Sequence, residues 1–385
     1  MQPEDRLVFM HVEKTAGSTV HHVLSQNFEQ NEVCPHRFDN LNYYPPDYLA
    51  RYRFFMLHSH LRMMRTIPKP LKFATFLREP VARVISHYRF WASLNDRVVE
   101  AEGLDHIRFL KARKLKELLT PSPLGVMPEF WNLSTHRLAG DLLLAPAGRP
   151  WRDESEMLES ALANLASCAT VGITEYPDLS FQCLAEDLGI PNRYDGARIN
   201  VTAANSEREP DRYDPVFAAR EDDETLEAID RATQLDKIIY DAALARFEDR
   251  LRRGFVVKAC VPPHLRTHQL EGEEIVVGDH AHGAVVYGPY HTLPAGRYRA
   301  TLWVQADVPK QNNRTSSIDV DVCSDGARVI HASRAVHRFE LSENWFEPIE
   351  IDFSTAAATD NVEVRLHTCG VRAIAVRRSI AIRLL

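Results

Sequence analysis

The stretch LVFMHVEKTAGSTVHHVL, residues 7–24, decides how the first part of the chain is read. A short apolar run ends at Glu13 and Lys14 and passes through the small residues Thr15, Ala16, Gly17, Ser18 and Thr19. A helical pattern follows, with Val20, Val23, Leu24 and Phe28 spaced to share one face. Strand, small turn and helix N-terminus in that order build an anion site. The first N–H groups of the helix lack main-chain partners, and its dipole favours negative charge. Gly17 lets the backbone approach an anion, the three hydroxyls add donors, and Lys14 adds a mobile positive charge. A P-loop ATPase would read GxxxxGK[ST], with lysine after the second glycine. Here lysine precedes the turn, so that signature is absent. A capped helix beside an incidental lysine would give the same letters.

Working outward, RLVFMHV, RFFMLHSH, LKFATFL and ATVGITE are strand candidates separated by helical patterns. Pro80 suits the first turn of a helix whose buried face is predicted at Val81, Val84, Ile85 and Tyr88. A second helix is predicted over about 177–188, stopping near Gly189, and a long helical stretch over 221–253, with apolar positions that include Ile238 and Ile239. Strands interleaved with helices imply parallel pairing in an α/β layered domain. After Gly254 the grammar changes to short alternating segments such as GRYRATLWVQA, SSIDVDVCS and WFEPIEIDFS. Those segments predict an antiparallel β-sandwich. The expected division is an α/β domain over 1–255, a linker over 256–270 through VPPH, and a sandwich over 271–385.

The 385 residues carry a net charge of -7, which gives no general argument for nucleic acid or an anionic membrane surface as partner. Residues 256–385 hold 14 Lys/Arg and 15 Asp/Glu, so most of the acidity lies upstream. Six scattered cysteines form no CxxC pair, which supports neither a metal nor a disulfide framework and fits a reducing compartment. No apolar run approaches the roughly 20 residues that span a bilayer. The sequence-based expectation is a cytoplasmic protein without a membrane span.

A second anion contact is expected in FATFLREPVARVISHYRFW. Arg78 ends a strand and Ser86 lies two turns into the next helix. A guanidinium suits bidentate phosphate contacts, and a helix serine adds one hydroxyl. Two such places after successive strands suggest a ligand with phosphate at both ends.

KTAGST and LREPVARVISHY together resemble the 5′-phosphosulfate and 3′-phosphate motifs of sulfotransferases that use PAPS (3′-phosphoadenosine 5′-phosphosulfate). The resemblance is nearest to the carbohydrate branch that includes the heparan and uronyl 2-O-sulfotransferases. It continues through VGITEYPDLSFQCLAEDLGI, INVTAAN and LDKIIYDAALARFEDRL, over roughly residues 5–252. It implies a P-loop-like parallel sheet flanked by helices. Lys14 to Thr19 would hold the 5′ end, Arg78 and Ser86 the 3′-phosphate, and NVTAAN would close over the cofactor.

Between the two loops lies FFMLHSHLRMM. His58 and His60 end a strand and, two residues apart, share one side of it. A surface pair or half a metal site would read alike, although no Asp, Glu or Cys ligand is near. The 2-O-sulfotransferases have a similar His-x-His, which implies His60 as base and His58 as its neighbour or a substrate contact. A histidine that titrates near neutral pH can take the proton of an attacking sugar hydroxyl. Lys14 can offset charge on the leaving bridging oxygen. Sulfuryl carries less charge than phosphoryl, and no metal is expected.

Arg62, Arg65, Lys69, Lys72 and the run RFLKARKLKELL could contact an acidic polysaccharide or form a solvated face. GAVVYGPYHTLPAGRYRATLWV resembles β-sandwich modules of bacterial surface-polysaccharide enzymes, which makes carbohydrate binding an expectation for that part. Tyr287, Tyr290, Trp303 and Trp345 would then stack on sugars or else be core. The leading expectation is sulfuryl transfer to a carbohydrate acceptor, such as an acidic polysaccharide or a lipid-linked glycan. A P-loop kinase and a non-catalytic glycan-binding protein with a vestigial nucleotide site are the alternatives.

Overall fold

The computed structural model describes residues 1–2, 4–37, 41–58, 64, 66–120, 127–140, 153–197, 199, 202–216, 220–261, 274–277, 282–307, 318–369 and 373–385. The chain divides into two compact units, Met1–Phe247 and Glu248–Leu385.

The first unit is built on four parallel strands, β1 (Arg6–His11), β2 (Phe54–Leu57), β3 (Leu71–Leu77) and β4 (Thr170–Ile173). Their order in the sheet is β2-β1-β3-β4. The four expected strands form, and each is close to continuously apolar, as befits strands covered on both faces. The helices of this unit include α1 (Gly17–Ser25), α2 (Pro80–Ala92), α3 (Leu133–Ala139), α4 (Pro177–Leu188), α5 (Thr202–Arg208), α6 (Asp223–Ala232) and α7 (Gln234–Arg252). Helices α1 and α4 close one face of the sheet, where Val20, Val23, Leu24, Phe181, Leu184 and Leu188 pack on Leu7, Phe9, Phe54, Met56 and Phe76. Burying such side chains contributes about 1.5–3 kcal/mol each.

Two readings of helix pattern change. On α2, Val84 is buried and the half-buried Val81, Ile85 and Tyr88 pack against the same cluster, as expected, but Arg83 and His87 are buried too. Their partners explain this. Arg83 lies 3.5 Å from the carboxylate of Asp236, both side chains fully buried. His87 packs between the rings of Trp91 and Phe130, with centroids at 4.3 and 5.6 Å.

The stretch 221–253 is two helices that part at Thr233, whose hydroxyl donates to the carbonyl of Ile229 at 2.8 Å. Asn132 then caps the restarted helix, its Oδ1 accepting from the N–H groups of Leu235 and Asp236 at 3.0 and 3.2 Å. The restart leaves Ile238 45% exposed and buries Ile239, so the apolar stripe is narrower than expected.

The second unit is a pair of antiparallel sheets. One runs β11 (Val329–Val336), β10 (Ile318–Ser324), β13 (Thr359–Cys369) and β7 (His282–Val286), with β8 (Pro289–Leu293) also on β13. The other runs β12 (Glu347–Thr355), β9 (Gly296–Asp307), β14 (Ala373–Leu384) and β5 (Phe255–Lys258), with β6 (Glu274–Val277) on β14. Strict alternation along β12 places Ile349, Ile351 and Phe353 inward. Strand β5 falls across the start of the expected linker. Its four residues alternate buried and exposed and pair with Ser379–Ile382 of β14, a pattern too short to stand out in sequence. Most of that linker's remainder lies outside the described residues.

Candidate functional site

In an open parallel sheet, ligands bind beyond the carboxyl ends of the strands where the strand order reverses. Here that point lies between β1 and β3, since the chain steps from β1 to β2 on one side and returns to β3 on the other. The two expected anion segments follow these two adjacent strands.

The segment between β1 and α1 is tightly wound. Lys14 and Ala16 both have left-handed backbones, with φ of 70° and 61°. Each costs about 1–2 kcal/mol for a residue with a Cβ. Gly17 is required by close approach, because a Cβ there would lie 2.0 Å from Cε1 and Nε2 of the His11 ring. Helix α1 has no acid in its first turn and no side-chain hydrogen bond at its cap. Its leading N–H groups are therefore not taken by a side-chain cap.

The threonines differ from one another. Thr15 is fully buried and donates its hydroxyl to the carbonyl of Val12 at 2.8 Å, so it presents main chain rather than hydroxyl. Thr19 Oγ1 accepts from the N–H of Ile199 at 3.0 Å. Ser18 is half-buried.

Arg78, just past β3, donates from Nη1 to the carbonyl of Lys14 at 3.3 Å. The N-terminus of α2 is closed, because the carboxylate of Glu79 accepts from the N–H groups of Val81 and Ala82 at 3.0 and 2.7 Å. Any anion beside Arg78 is thus met by side chains and not by that helix end.

Ser86 and Phe90 lie one turn apart on α2 and share a side of it. The ammonium of Lys14 sits 4.0 Å from the centroid of Phe90 and 3.4 Å from the hydroxyl of Thr202. Burial, with Arg78 adding to it, pulls the pKa of Lys14 down to about 8. Thr202 opens α5 and belongs to NVTAAN, whose Asn200 and Val201 lie outside the described residues. Between them, Ile199 and Thr202 bring this segment against the loop.

His60, with Arg62 and Arg65, also lies outside the described residues. His58 is described and half-buried, and its Nε2 is 2.9 Å from Nδ1 of His11. Its Nδ1 faces a carboxylate oxygen of Glu13 at 3.9 Å, and Glu13 is ion-paired with Arg137 on α3. Burial lowers the pKa of His58 to about 4 and that of His11 well below the usual imidazole value. Burial alone would raise the Glu13 carboxyl, but the Arg137 guanidinium overrides it and holds the pKa at about 2. Both imidazoles are therefore neutral, and the carboxylate is charged, near pH 7.

Sequence pattern alone does not mark His11, Glu13 or Arg137 as site residues. His11 and Glu13 stand in the quoted stretch, but alternation alone does not tell a buried histidine from a surface one. Arg137 is distant in sequence and carried no signal.

Among the described residues, no three His, Cys, Asp or Glu side chains gather as metal ligands, and no helix is long and apolar enough to cross a membrane. In the basic run, Arg108 pairs with Asp105, Lys111 with Asp96 and Asp214, and Lys116 with Glu224. Those three cations are engaged within the fold. In the second unit Tyr290 and Trp345 are 43% and 61% exposed, which removes both from the core.

Comparison with known proteins gives two kinds of likeness. A protein-tyrosine sulfotransferase of Arabidopsis thaliana is 27% identical over 130 residues, covering 33% of this chain and 25% of that protein. The chain thus spans about a quarter of the length of that curated relative. Among solved structures, a carbohydrate-binding module of the Cellvibrio mixtus lichenase 5A in complex with cellotriose is 16% identical, covering 32% of this chain and 86% of that one, with a TM-score of 0.23. A xylan-binding domain from Paenibacillus barcinonensis is 7% identical, covering 33% and 85%, with a TM-score of 0.21. Residues 1–120, which hold the loop after β1, the strand leading to His58 and the arginine after β3, match the model of a family described as the sulfotransferase family.

Proposed function

We propose that the first unit transfers a sulfuryl group from PAPS to a hydroxyl of a carbohydrate acceptor. The observation that carries this reading is the meeting of Lys14, an uncapped α1 and Arg78 at the switch point of the sheet. The donor set fits a nucleotide with phosphate at each end. Lys14 and the α1 N–H groups, with Ser18 and Thr19, would hold the 5′ end, and Arg78 and Ser86 the 3′-phosphate. When bound, the nucleotide supplies an activated sulfuryl group on its 5′-phosphate.

The chain's own residues do the rest. Lys14 neutralises charge on the leaving oxygen, where its half-buried ammonium is worth more than in water. The loop and the segment from Ile199 to Thr202 hold the donor in line with the acceptor. His60 takes the hydroxyl proton, and His58, whose Nε2 is already engaged by His11, supports the strand end.

The test is calorimetric binding of 3′,5′-bisphosphoadenosine to the full chain without metal, followed by radiolabelled sulfate transfer to a panel of polysaccharides and glycolipids. Binding that ATP with magnesium displaces favours the kinase reading instead. Binding without transfer to any acceptor favours a glycan-binding protein with a vestigial nucleotide site. The Arabidopsis relative is named for protein tyrosine, so a tyrosine-containing peptide belongs in the panel. Its sulfation in preference to saccharides would replace the acceptor class and leave the donor site standing.

A further inference from the structure

We propose that His11 is a positioning residue, whose imidazole is held by His58, itself facing Glu13, and forms the floor that fixes the loop carrying Lys14. The proposal rests on reading residues 14–19 as the nucleotide loop.

Three observations support it. His11 is the last residue of β1, 7% exposed, and its ring touches the Cα side of Gly17 so closely that no side chain fits there. The ring is oriented by the 2.9 Å contact between its Nδ1 and Nε2 of His58, with ring centroids 4.0 Å apart. The loop it supports contains two residues in left-handed conformations that no glycine relieves. Such strain persists only where the surroundings over-determine it. Glu13, anchored by Arg137, holds the chain just before the strained pair, and His11 holds it just after.

The direction of the hydrogen bond follows from charge. The Glu13 carboxylate, 3.9 Å from His58 Nδ1, is beyond hydrogen-bond reach, but its charge favours a proton on that nitrogen, which makes Nε2 the acceptor in the arrangement we infer. His11 must then donate from Nδ1. Its Nε2 has no hydrogen-bond partner among the described residues. A bare lone pair there is cheaper to bury than an N–H without acceptor. In this arrangement His11 is the Nδ1–H tautomer, the minor form of a free imidazole. It acts on Lys14 through the backbone and touches no ligand.

The experiment compares His11→Phe and His11→Asn in the full chain. Phenylalanine keeps a ring beneath Gly17 and loses the bond to His58, whereas the asparagine amide can replace Nδ1 but leaves the floor thinner. Both are checked for wild-type circular dichroism and melting before use. The expected result is a loss of about three- to tenfold in bisphosphoadenosine affinity for His11→Phe, the scale of one hydrogen bond. The loss in His11→Asn should be smaller. A packing role alone predicts the opposite order, and wild-type affinity in His11→Phe overturns the proposal.

The second measurement needs no nucleotide. Nitrogen-15 spectra of labelled histidine in the unliganded chain should place the His11 proton on Nδ1, and a proton on Nε2 also overturns it. A wild-type chain that does not bind bisphosphoadenosine is a different failure, because it removes the nucleotide reading itself.

Discussion

The guanidinium of Arg78 donates to the main-chain carbonyl of Lys14 at 3.3 Å, which ties the end of β3 to the loop that follows β1. The two segments are therefore one site. Arg78 anchors the loop through Nη1 of a planar, permanently charged group. Arg78→Ala should weaken bisphosphoadenosine binding by about 2 kcal/mol, the scale of a charge-assisted hydrogen bond. The melting temperature should stay close to wild type, since Arg78 lies past the carboxyl end of β3 and outside the apolar core. Calorimetric titration of a folded variant with unchanged affinity would remove Arg78 from the site.

Much of this was legible in the sequence, for reasons that differ by residue. Parallel strands covered on both faces read as unbroken apolar runs, which is why β1 and β3 stood out. Helix α4 was bounded by Pro177 and Gly189, the signals that start and stop helices. What escaped were contacts that a local hydrophobic pattern does not name. Arg83 and His87 interrupt the apolar pattern of α2 because Asp236 gives Arg83 a counter-charge and the rings of Trp91 and Phe130 pack on His87. The split between α6 and α7 depends on Asn132, about a hundred residues upstream. Glu79 follows Arg78 in the motif as any acid might, and only the fold reveals that it closes the helix end.

Lys14 gives the site a pH dependence. Its pKa, pulled down to about 8 by burial and by Arg78, means that the binding cation is present below that pH and lost above it. The second ionisation of a phosphate lies near 6, so the ligand is fully charged across the upper range. Bisphosphoadenosine affinity should hold between pH 7 and about 7.5 and fall as the pH rises through about 8 to 9.5. Lys14→Arg, which stays charged throughout, should flatten that fall. Equal slopes in the two proteins would show that Lys14 does not titrate in this window.

Asp236 should be the costliest position to change in the first unit. Its carboxylate faces fully buried Arg83 and accepts from the N–H groups of Ser134 and Thr135 and the hydroxyl of Thr135, at 3.2, 2.8 and 2.8 Å. Asp236→Ala leaves a guanidinium buried without its counter-charge and the start of α3 without its acceptor. The expected loss is about 3–5 kcal/mol. Scanning calorimetry should show it as a lowered transition of the first unit with that of the second unchanged. Nucleotide affinity should fall as well, because α3 carries Arg137, the partner of Glu13. A loss below about 1 kcal/mol would mean that water reaches Arg83 in solution.

The two histidines after β2 should separate by what they affect. His58 has its Nε2 against His11 and its Nδ1 toward Glu13, and burial holds its pKa at about 4, so it is neutral and engaged at neutral pH. An engaged ring is poorly placed to receive a proton from an acceptor hydroxyl. That leaves His60, two residues along the same chain direction, as the group expected to do so. His60→Ala should lower turnover by about 10² to 10⁴, the usual contribution of a positioned general base. Its bisphosphoadenosine affinity should be unchanged, since the base acts on the acceptor. His58→Ala should instead weaken the nucleotide, because removing it frees His11 and loosens the loop beneath Lys14. Single-turnover sulfate transfer at saturating donor, paired with calorimetry on each variant, reads both effects. Full turnover in His60→Ala would sink the assignment of the base. Loss of turnover in His58→Ala with intact nucleotide affinity would then transfer the role to His58, and with it require that the contact to His11 opens when the acceptor binds.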